Sequence, residues 1–377
     1  MAENERTFED VLASIEEWVT PRGVPGVAVA VWHGGRIVAT HEAGQARDGV
    51  TVTPETLFAL ASVTKPFAAA TVVSLIEEGV IALDDRAGAY LPAFADAPAD
   101  DPADPDSERG TVTVRQLLCH VSGLPEDIAG RDDRLVARPG FDTLTDALVN
   151  LPLMTRPGEM LRYSNAGYAA LARLAETAGG DAFWPMTRSR VLDPLGLDDI
   201  VFRPSGPELD RVAHLAGAAN PGTDHESYNS AYWRDLAIPW GGLFGTPAAA
   251  VRFAASFLPD TGAFPDHPLG PAAIAAMTTD QVHGVPGGVE SGKVWWERAA
   301  WGLGWEIKGT KTNHWTGQTT SPETFCHFGQ AGTLVWADPA RDVALAVLAN
   351  RTVTRMWGFI LPRWARLSDA VVAVVDG

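Results

Sequence analysis

The opening of the chain switches between two periodicities. Phe8, Val11, Leu12, Ile15 and Trp18 recur at helical spacing and stop before Pro21, which predicts an amphipathic helix over residues 7–19. Val24–Trp32 and Arg36–His41 are instead β-rich runs around His33-Gly34-Gly35, the pattern of an antiparallel hairpin. Helical patterning takes over in the middle: Pro66–Glu78 with Gly79 as its stop, Gln116–His120, and Asn165–Ala178. Sheet returns near the end, where Thr333–Ala337 and Val343–Leu348 flank a turn at residues 338–342, and Leu361–Val375 reads as a helix packed on that sheet. Residues 93–110, rich in Pro, Asp and Ala, read as an exposed loop, and residues 259–292 as irregular. No internal repeat interrupts this order.

Strands at both ends with helices between predict an α+β architecture. One antiparallel sheet is assembled from both termini and flanked by helices, and a mostly helical domain is inserted into it. We expect the sheet domain over residues 1–78 and 235–377, the helical domain over residues 79–234, and the active site in the cleft between them.

Composition narrows the function classes. The chain of 377 residues is 46% hydrophobic and 20% charged, within the range of soluble globular proteins, so disorder and a membrane class are not suggested. A formal charge of −18 repels phosphate backbones and anionic lipid, which argues against nucleic acid or a membrane surface as partner. Cys119 and Cys326, the two cysteines, lack the paired spacing of a zinc site and read as buried apolar residues, so no metal is expected. The first 18 residues carry six acidic side chains and no continuous apolar run, from which a cytoplasmic location is expected. No phosphate loop, His-Glu-x-x-His or dinucleotide fingerprint is present, so no cofactor is implied.

The segment Ser62-Val63-Thr64-Lys65-Pro66-Phe67 carries candidate chemistry. Proline is tolerated only in the first turn of a helix, so Pro66 places Ser62 at or next to the helix start. There the helix dipole favours an alkoxide, and Lys65, three residues on, returns to the same face. A neutral lysine can take a serine proton where burial or a neighbouring positive charge lowers its pKa. The same spacing also fits an ordinary N-cap serine beside a solvated lysine. A second segment, Tyr163-Ser164-Asn165, follows at residues 163–165.

With these two segments the sequence resembles the serine β-lactamase and penicillin-binding-protein superfamily, in its class C-like branch. Ser62/Lys65 and Tyr163/Asn165 look like that branch's Ser-x-x-Lys and Tyr-x-Asn. Leu117–Pro125 is similar to its Leu-Leu-x-His-x-Ser-Gly-Leu-Pro, and Pro194–Leu197, Gly241-Gly242-Leu243 and residues 301–305 are further landmarks, together spanning roughly residues 55–350. The resemblance implies Ser62 as nucleophile and Lys65 and Tyr163 as proton carriers, with the Tyr163 phenolate stabilised and its pKa lowered beside Lys65. It implies Asn165 as a partner of Lys65 and substrate, although a helix N-cap role is open to it as well. The third element of the family, Lys-Thr/Ser-Gly, is best matched by His327-Phe328-Gly329, a departure. By that match His327 contacts substrate, Gly329 lets substrate approach the strand, and the Gln330 N–H joins that of Ser62 as an oxyanion hole. A neutral histidine there is a poor carboxylate partner, which tilts the resemblance from β-lactams toward esters.

His120 reads as a structural histidine at a helix end rather than a base. Trp295, Trp296, Trp301, Trp305 and Trp315 either line an aromatic acyl pocket or pack in the core. The expected function is hydrolysis of a small-molecule ester or amide through a Ser62 acyl-enzyme. A transacylase passing the acyl group to an amine or alcohol, a β-lactamase or D,D-peptidase, and a non-catalytic ligand-binding homologue are the alternatives.

Overall fold

The computed structural model describes residues 6–95, 101–259, 262–354 and 356–377. Gly34 and Gly35 take φ of 58° and 83°, the left-handed pair that a two-residue hairpin turn requires, and they join Gly26–His33 to Arg36–Arg47. This hairpin is half of a seven-stranded antiparallel sheet. Its order in space is Glu306–Ile307, Phe325–Gly329, Thr333–Asp338, Val343–Ala349, Gly26–His33, Arg36–Arg47, Val50–Thr51. The first strand of the chain therefore pairs with one of the last, in the register Val27↔Ala349 to His33↔Val343. Asn350 stitches this seam, accepting from the Gly26 N–H at 2.7 Å and donating to the carbonyls of Gln45 and Ala46.

Alternation along Gly26–His33 assigns its two faces. Ala28, Ala30 and Trp32 join the larger core, with the helices Thr64–Glu77 and Pro247–Ala255. Val27, Val29 and Val31 join a second core under the opening turns and the closing helix Trp357–Asp376. Ala28 and Ala30 leave room for the helices of the larger core, and each buried valine contributes about 1.5–3 kcal/mol on the other side. The fold is thus α+β, with a sheet drawn from both ends of the chain and helices on each face.

Two small sheets tie the middle of the chain to this frame. Phe58–Ala59 and Ile200–Phe202 both pair with Leu243–Gly245. Leu161–Arg162 runs parallel to Gly287–Val289, which pairs in turn with Val294–Trp296. Each sheet fixes one half of the site, because Phe58–Ala59 leads into Ser62 and Leu161–Arg162 leads into Tyr163.

Several expectations are corrected in detail. The opening helix is α-helical only over Phe8–Leu12 and tightens to 3₁₀ over Ala13–Trp18. The closing helix begins at Trp357, before Pro362, which sits inside it. Within residues 93–110, residues 96–100 lie outside the described residues. Pro105–Thr111 is a 3₁₀ segment rather than an open loop, pinned by Arg109 to the carbonyls of Ala93, Val149 and Leu151. The stretch 259–292 contains the helix Pro271–Thr278, started by a proline in its first turn, and the strand Gly287–Val289. Among the described residues no helix is long and apolar enough to cross a membrane.

Candidate active site

Ser62 lies in a 3₁₀ turn, Ala61–Val63, that runs directly into the helix Thr64–Glu77. Pro66 sits in that helix's first turn, where its missing N–H costs nothing. Ala61 is held at φ 47°, a left-handed conformation unfavourable for alanine and of the kind that clusters at reactive sites. The helix is buried from Thr64 to Leu75, so Lys65 is carried into the interior with no exposed surface.

There the Lys65 Nζ donates to Asn165 Oδ1 at 2.7 Å, to the Trp240 carbonyl at 2.8 Å and to Ser62 Oγ at 3.2 Å. The first two partners can only accept, so they take up two N–H bonds, and the third direction points at the serine oxygen. Asn165 is fixed from its other end by donating to Asp127 Oδ2 at 2.9 Å. It is the first residue of the helix Asn165–Gly179, but the cap is Ser164, whose Oγ accepts from the Gly167 N–H at 2.9 Å. The N-cap role considered for Asn165 thus belongs to its neighbour, and the Asn165 side chain is left for Lys65.

Tyr163 is 7% exposed, with the Lys65 Nζ 4.7 Å above its ring centroid. Contrary to expectation, its pKa is held well above the usual phenol value. Burial dominates, while the Ser62 hydroxyl pulls the other way from nearby without meeting the phenol oxygen at hydrogen-bond geometry. Tyr163 is therefore a neutral O–H donor at ordinary pH.

His120 organises this segment from behind. Its Nδ1 accepts from the Ser164 N–H at 3.0 Å, between Tyr163 and Asn165, and its ring lies 4.5 Å from that of Tyr163. It is a structural histidine, as its position predicts. His327 is 2% exposed and packs its ring 5.9 Å from both Tyr163 and Trp301. Because Nδ1 meets the Phe328 carbonyl at 2.8 Å, it must carry the proton. Burial, then the nearby Lys65 charge, lower the His327 pKa to about 3. Burial likewise drives His120 well down.

These two histidines make a stability prediction with a definite sign. The unfolded chain takes up their protons near pH 6.5 and the folded chain only far lower. Their contribution is therefore whole above about pH 6.5 and lost as pH falls, toward about 3 for His327. Between pH 6.5 and 5, His327 should cost about 2 kcal/mol of stability. Urea midpoints at pH 7 and pH 5 should show this fall, and His327→Asn should make it shallower.

Gly329 has a structural reason to be glycine. A Cβ there would lie 2.3 Å from the Leu60 carbonyl and 3.2 Å from Ala61 Cβ. The glycine admits the turn that holds Ser62 against the strand. Gln330 follows at the strand's end, and its side chain donates to Thr354 Oγ1 at 2.6 Å. Ser62, Asn165 and Gln330 open into a cleft of about 550 Å³ that Trp240, Tyr228 and Arg351 also line.

A model of the Beta-lactamase family matches residues 6–365. The chain belongs to that family. It is 33% identical over 300 residues to penicillin-binding protein 4 of Amycolatopsis lactamdurans, covering 76% of this chain and 72% of that one. Among solved structures, a penicillin-binding protein homologue from Caulobacter crescentus superposes with a TM-score of 0.74 at 25% identity, covering 98% of each chain. SurE with D-Leu superposes at 0.67 and 28% identity, over 96% of this chain and 75% of that one.

In this family member the structure brings Ser62, Lys65, Tyr163 and Asn165 together, with Gln330 on the same cleft and His327 behind it. Sequence reasoning missed Trp240 and Asp127, which hold Lys65 and Asn165. The Trp240 signal was present, because it directly precedes the Gly241-Gly242-Leu243 landmark. Leu243 docks that landmark on the site, donating to Thr64 Oγ1 and accepting from the Leu60 N–H. The five clustered tryptophans are not the pocket. Trp301, Trp305 and Trp315 are buried core, Trp295 is 60% exposed, and none of the five lines the cleft.

Proposed function

We propose that this serine hydrolase or acyltransferase family member hydrolyses an ester or amide of a small molecule through an acyl-enzyme on Ser62. The observation that carries the reading is the fully buried Lys65 Nζ, bonded to two acceptors and aimed at Ser62 Oγ from 3.2 Å. As Oγ attacks the acyl carbon, Lys65 in its neutral form, with its two N–H bonds on Asn165 and Trp240 and its lone pair toward Oγ, takes the serine proton, and the N–H groups of Ser62 and Gln330 stabilise the oxyanion. Tyr163 gives its proton to the leaving oxygen or nitrogen. That leaves a phenolate beside an ammonium, and the raised pKa of Tyr163 makes the phenolate a strong base. Water then loses a proton to Tyr163 as its oxygen attacks, and Ser62 departs with the proton held by Lys65. Every proton is thereby returned.

The proton donor has a distinctive signature. Tyr163→Phe should slow acylation by an alkyl ester by about 10²–10⁴-fold. The burst from a p-nitrophenyl ester should change by less than about 10-fold, because that phenolate leaves without a proton. Stopped-flow comparison of the two substrates separates the cases, and equal slowing of both would remove Tyr163 from the leaving-group step.

A transacylase remains the second reading, favoured by a cleft of about 550 Å³, which has room for an acceptor beside an acyl group. Product partition from a p-nitrophenyl ester, with water alone and with added amines or alcohols, decides between the two. Continued turnover in water supports the hydrolase. One burst that stalls until an acceptor arrives supports the transacylase. Release that is no faster than with Ser62→Ala overturns the acyl-enzyme itself.

A further inference from the structure

Four polar side chains converge in the interior away from the cleft, behind the strand Phe325–Gly329. Glu306 stands directly across the sheet from Cys326. The turn that follows Glu306 brings Lys311 and His314 back onto its carboxylate. Lys311 Nζ donates to Glu306 Oε1 at 2.8 Å, His314 Nε2 meets the same oxygen at 3.0 Å, and the Cys326 thiol points at Oε2 over 3.8 Å. The side chains of Glu306, Lys311 and His314 are each 1% exposed, and Cys326 is fully buried and free of any disulfide.

An ion pair between Glu306 and Lys311 accounts for the charge balance of this group. The same carboxylate also draws an imidazole and a thiol onto itself, which gathers three groups that can ligate a metal. The ligand atoms of Glu306, His314 and Cys326 all lie within 4.8 Å of one another. A mixed sulfur, nitrogen and oxygen set is what zinc takes, and its bond lengths of about 2.0–2.3 Å put tetrahedral donors roughly 3.3–3.7 Å apart. His314 Nε2 lies 3.0 Å from Oε1 and Cys326 Sγ 3.8 Å from Oε2, so a small turn of the carboxylate is needed to present one oxygen to both. His314 is held at its far side, where Nδ1 meets Thr316 Oγ1 at 2.8 Å and accepts from the Thr316 N–H at 3.4 Å, so Nε2 faces the carboxylate and gives up its proton when a metal binds. A cavity of about 540 Å³ lined by Lys311, His314 and Trp296 gives an entry path from solvent.

We propose that Glu306, His314 and Cys326 form a site for one thiophilic divalent transition-metal ion of the zinc class, with Lys311 as the cation that keeps the site neutral when the metal is away. Binding exchanges the thiol proton, released to solvent, for a metal–sulfur bond. It also takes Oε1 from the Lys311 ammonium, which keeps the Ala300 and Ile307 carbonyls at 3.0 and 2.7 Å and the face of Trp296 at 4.2 Å. The fourth coordination position faces the cavity, where solvent reaches it. The sequence hides this site because His314 and Cys326 stand 8 and 20 positions from Glu306 and match no ligand spacing.

Chelator-treated full-length protein titrated with Co²⁺, and separately dialysed against Zn²⁺ with metal quantification, tests the proposal. Wild type should bind one equivalent, with a near-ultraviolet thiolate-to-cobalt absorption that Cys326→Ser abolishes. His314→Gln should weaken zinc binding by at least about 100-fold, and Lys311→Met, which removes the competing cation, should strengthen it. Failure of wild type to bind cobalt, or binding without the thiolate band, overturns the site, as does affinity unchanged in Cys326→Ser. Where a variant fails to fold, X-ray absorption at the zinc edge of loaded wild type decides alone. One sulfur neighbour near about 2.3 Å supports the site, and nitrogen and oxygen neighbours only would end it.

Discussion

Ser62→Ala is expected to lower kcat/KM for an activated ester by about 10⁴-fold or more. Such a loss follows when the covalent path disappears and only binding and oxyanion contacts remain. Folding should be nearly untouched, because Ser62 is half-buried in its turn and its named side-chain bond is the 3.2 Å contact with Lys65. A thermal midpoint within about 2 °C of wild type, alongside the lost turnover, separates chemistry from stability. Mass spectrometry of enzyme quenched during turnover should find the acyl adduct on Ser62 in wild type and none in the variant. An adduct on another residue would remove Ser62 from the mechanism.

Lys65→Met should have an effect nearly as large on turnover, about 10³–10⁴-fold, and in addition should destabilise the protein. Methionine fills a similar volume but offers no N–H. The buried Trp240 carbonyl then faces a thioether, an unsatisfied acceptor that costs about 1–3 kcal/mol, and the half-buried Asn165 Oδ1 loses its partner as well. The signature is therefore double, a slow enzyme with a lowered denaturation midpoint. If Lys65→Met kept near-wild-type activity, the serine would have to be activated by another group, and the reading of Tyr163 as a neutral donor would need revision.

Much of this site was legible because it is local. Pro66 fixes the start of a helix, the start fixes Ser62, and a spacing of three places Lys65 beside it. Tyr163 and Asn165 followed from a second short pattern. What could not be read depends on contacts between distant segments. Nothing in the Tyr-x-Asn pattern says that His120 bonds the amide between its two named residues, or that the Lys65 Nζ sits over the phenol ring and leaves the oxygen to the effect of burial. The hairpins were legible for the same local reason, as Gly34-Gly35 shows. The helix Pro271–Thr278 was hidden by the proline and glycines around it, although Pro271 marks its first turn. The tryptophans misdirect because sequence proximity is not a shared surface, and Trp240, alone in its segment, is the one on the cleft.

The seam between Gly26–His33 and Val343–Ala349 has a consequence for how the protein is made. Gly26 finds its partner Asn350 across 324 positions, so the central pairing of the sheet waits until the chain through residue 350 has left the ribosome. At about 5–20 residues per second that interval is on the order of 15–60 s. Throughout it, the apolar strand Gly26–His33 presents an unpaired edge to every other nascent chain nearby. Production of this protein should therefore be limited by chaperone capture during translation, and slowed elongation alone should not relieve it. Linking the segment that ends at Asn350 ahead of Gly26 by circular permutation would make the seam a local contact and shorten that exposure.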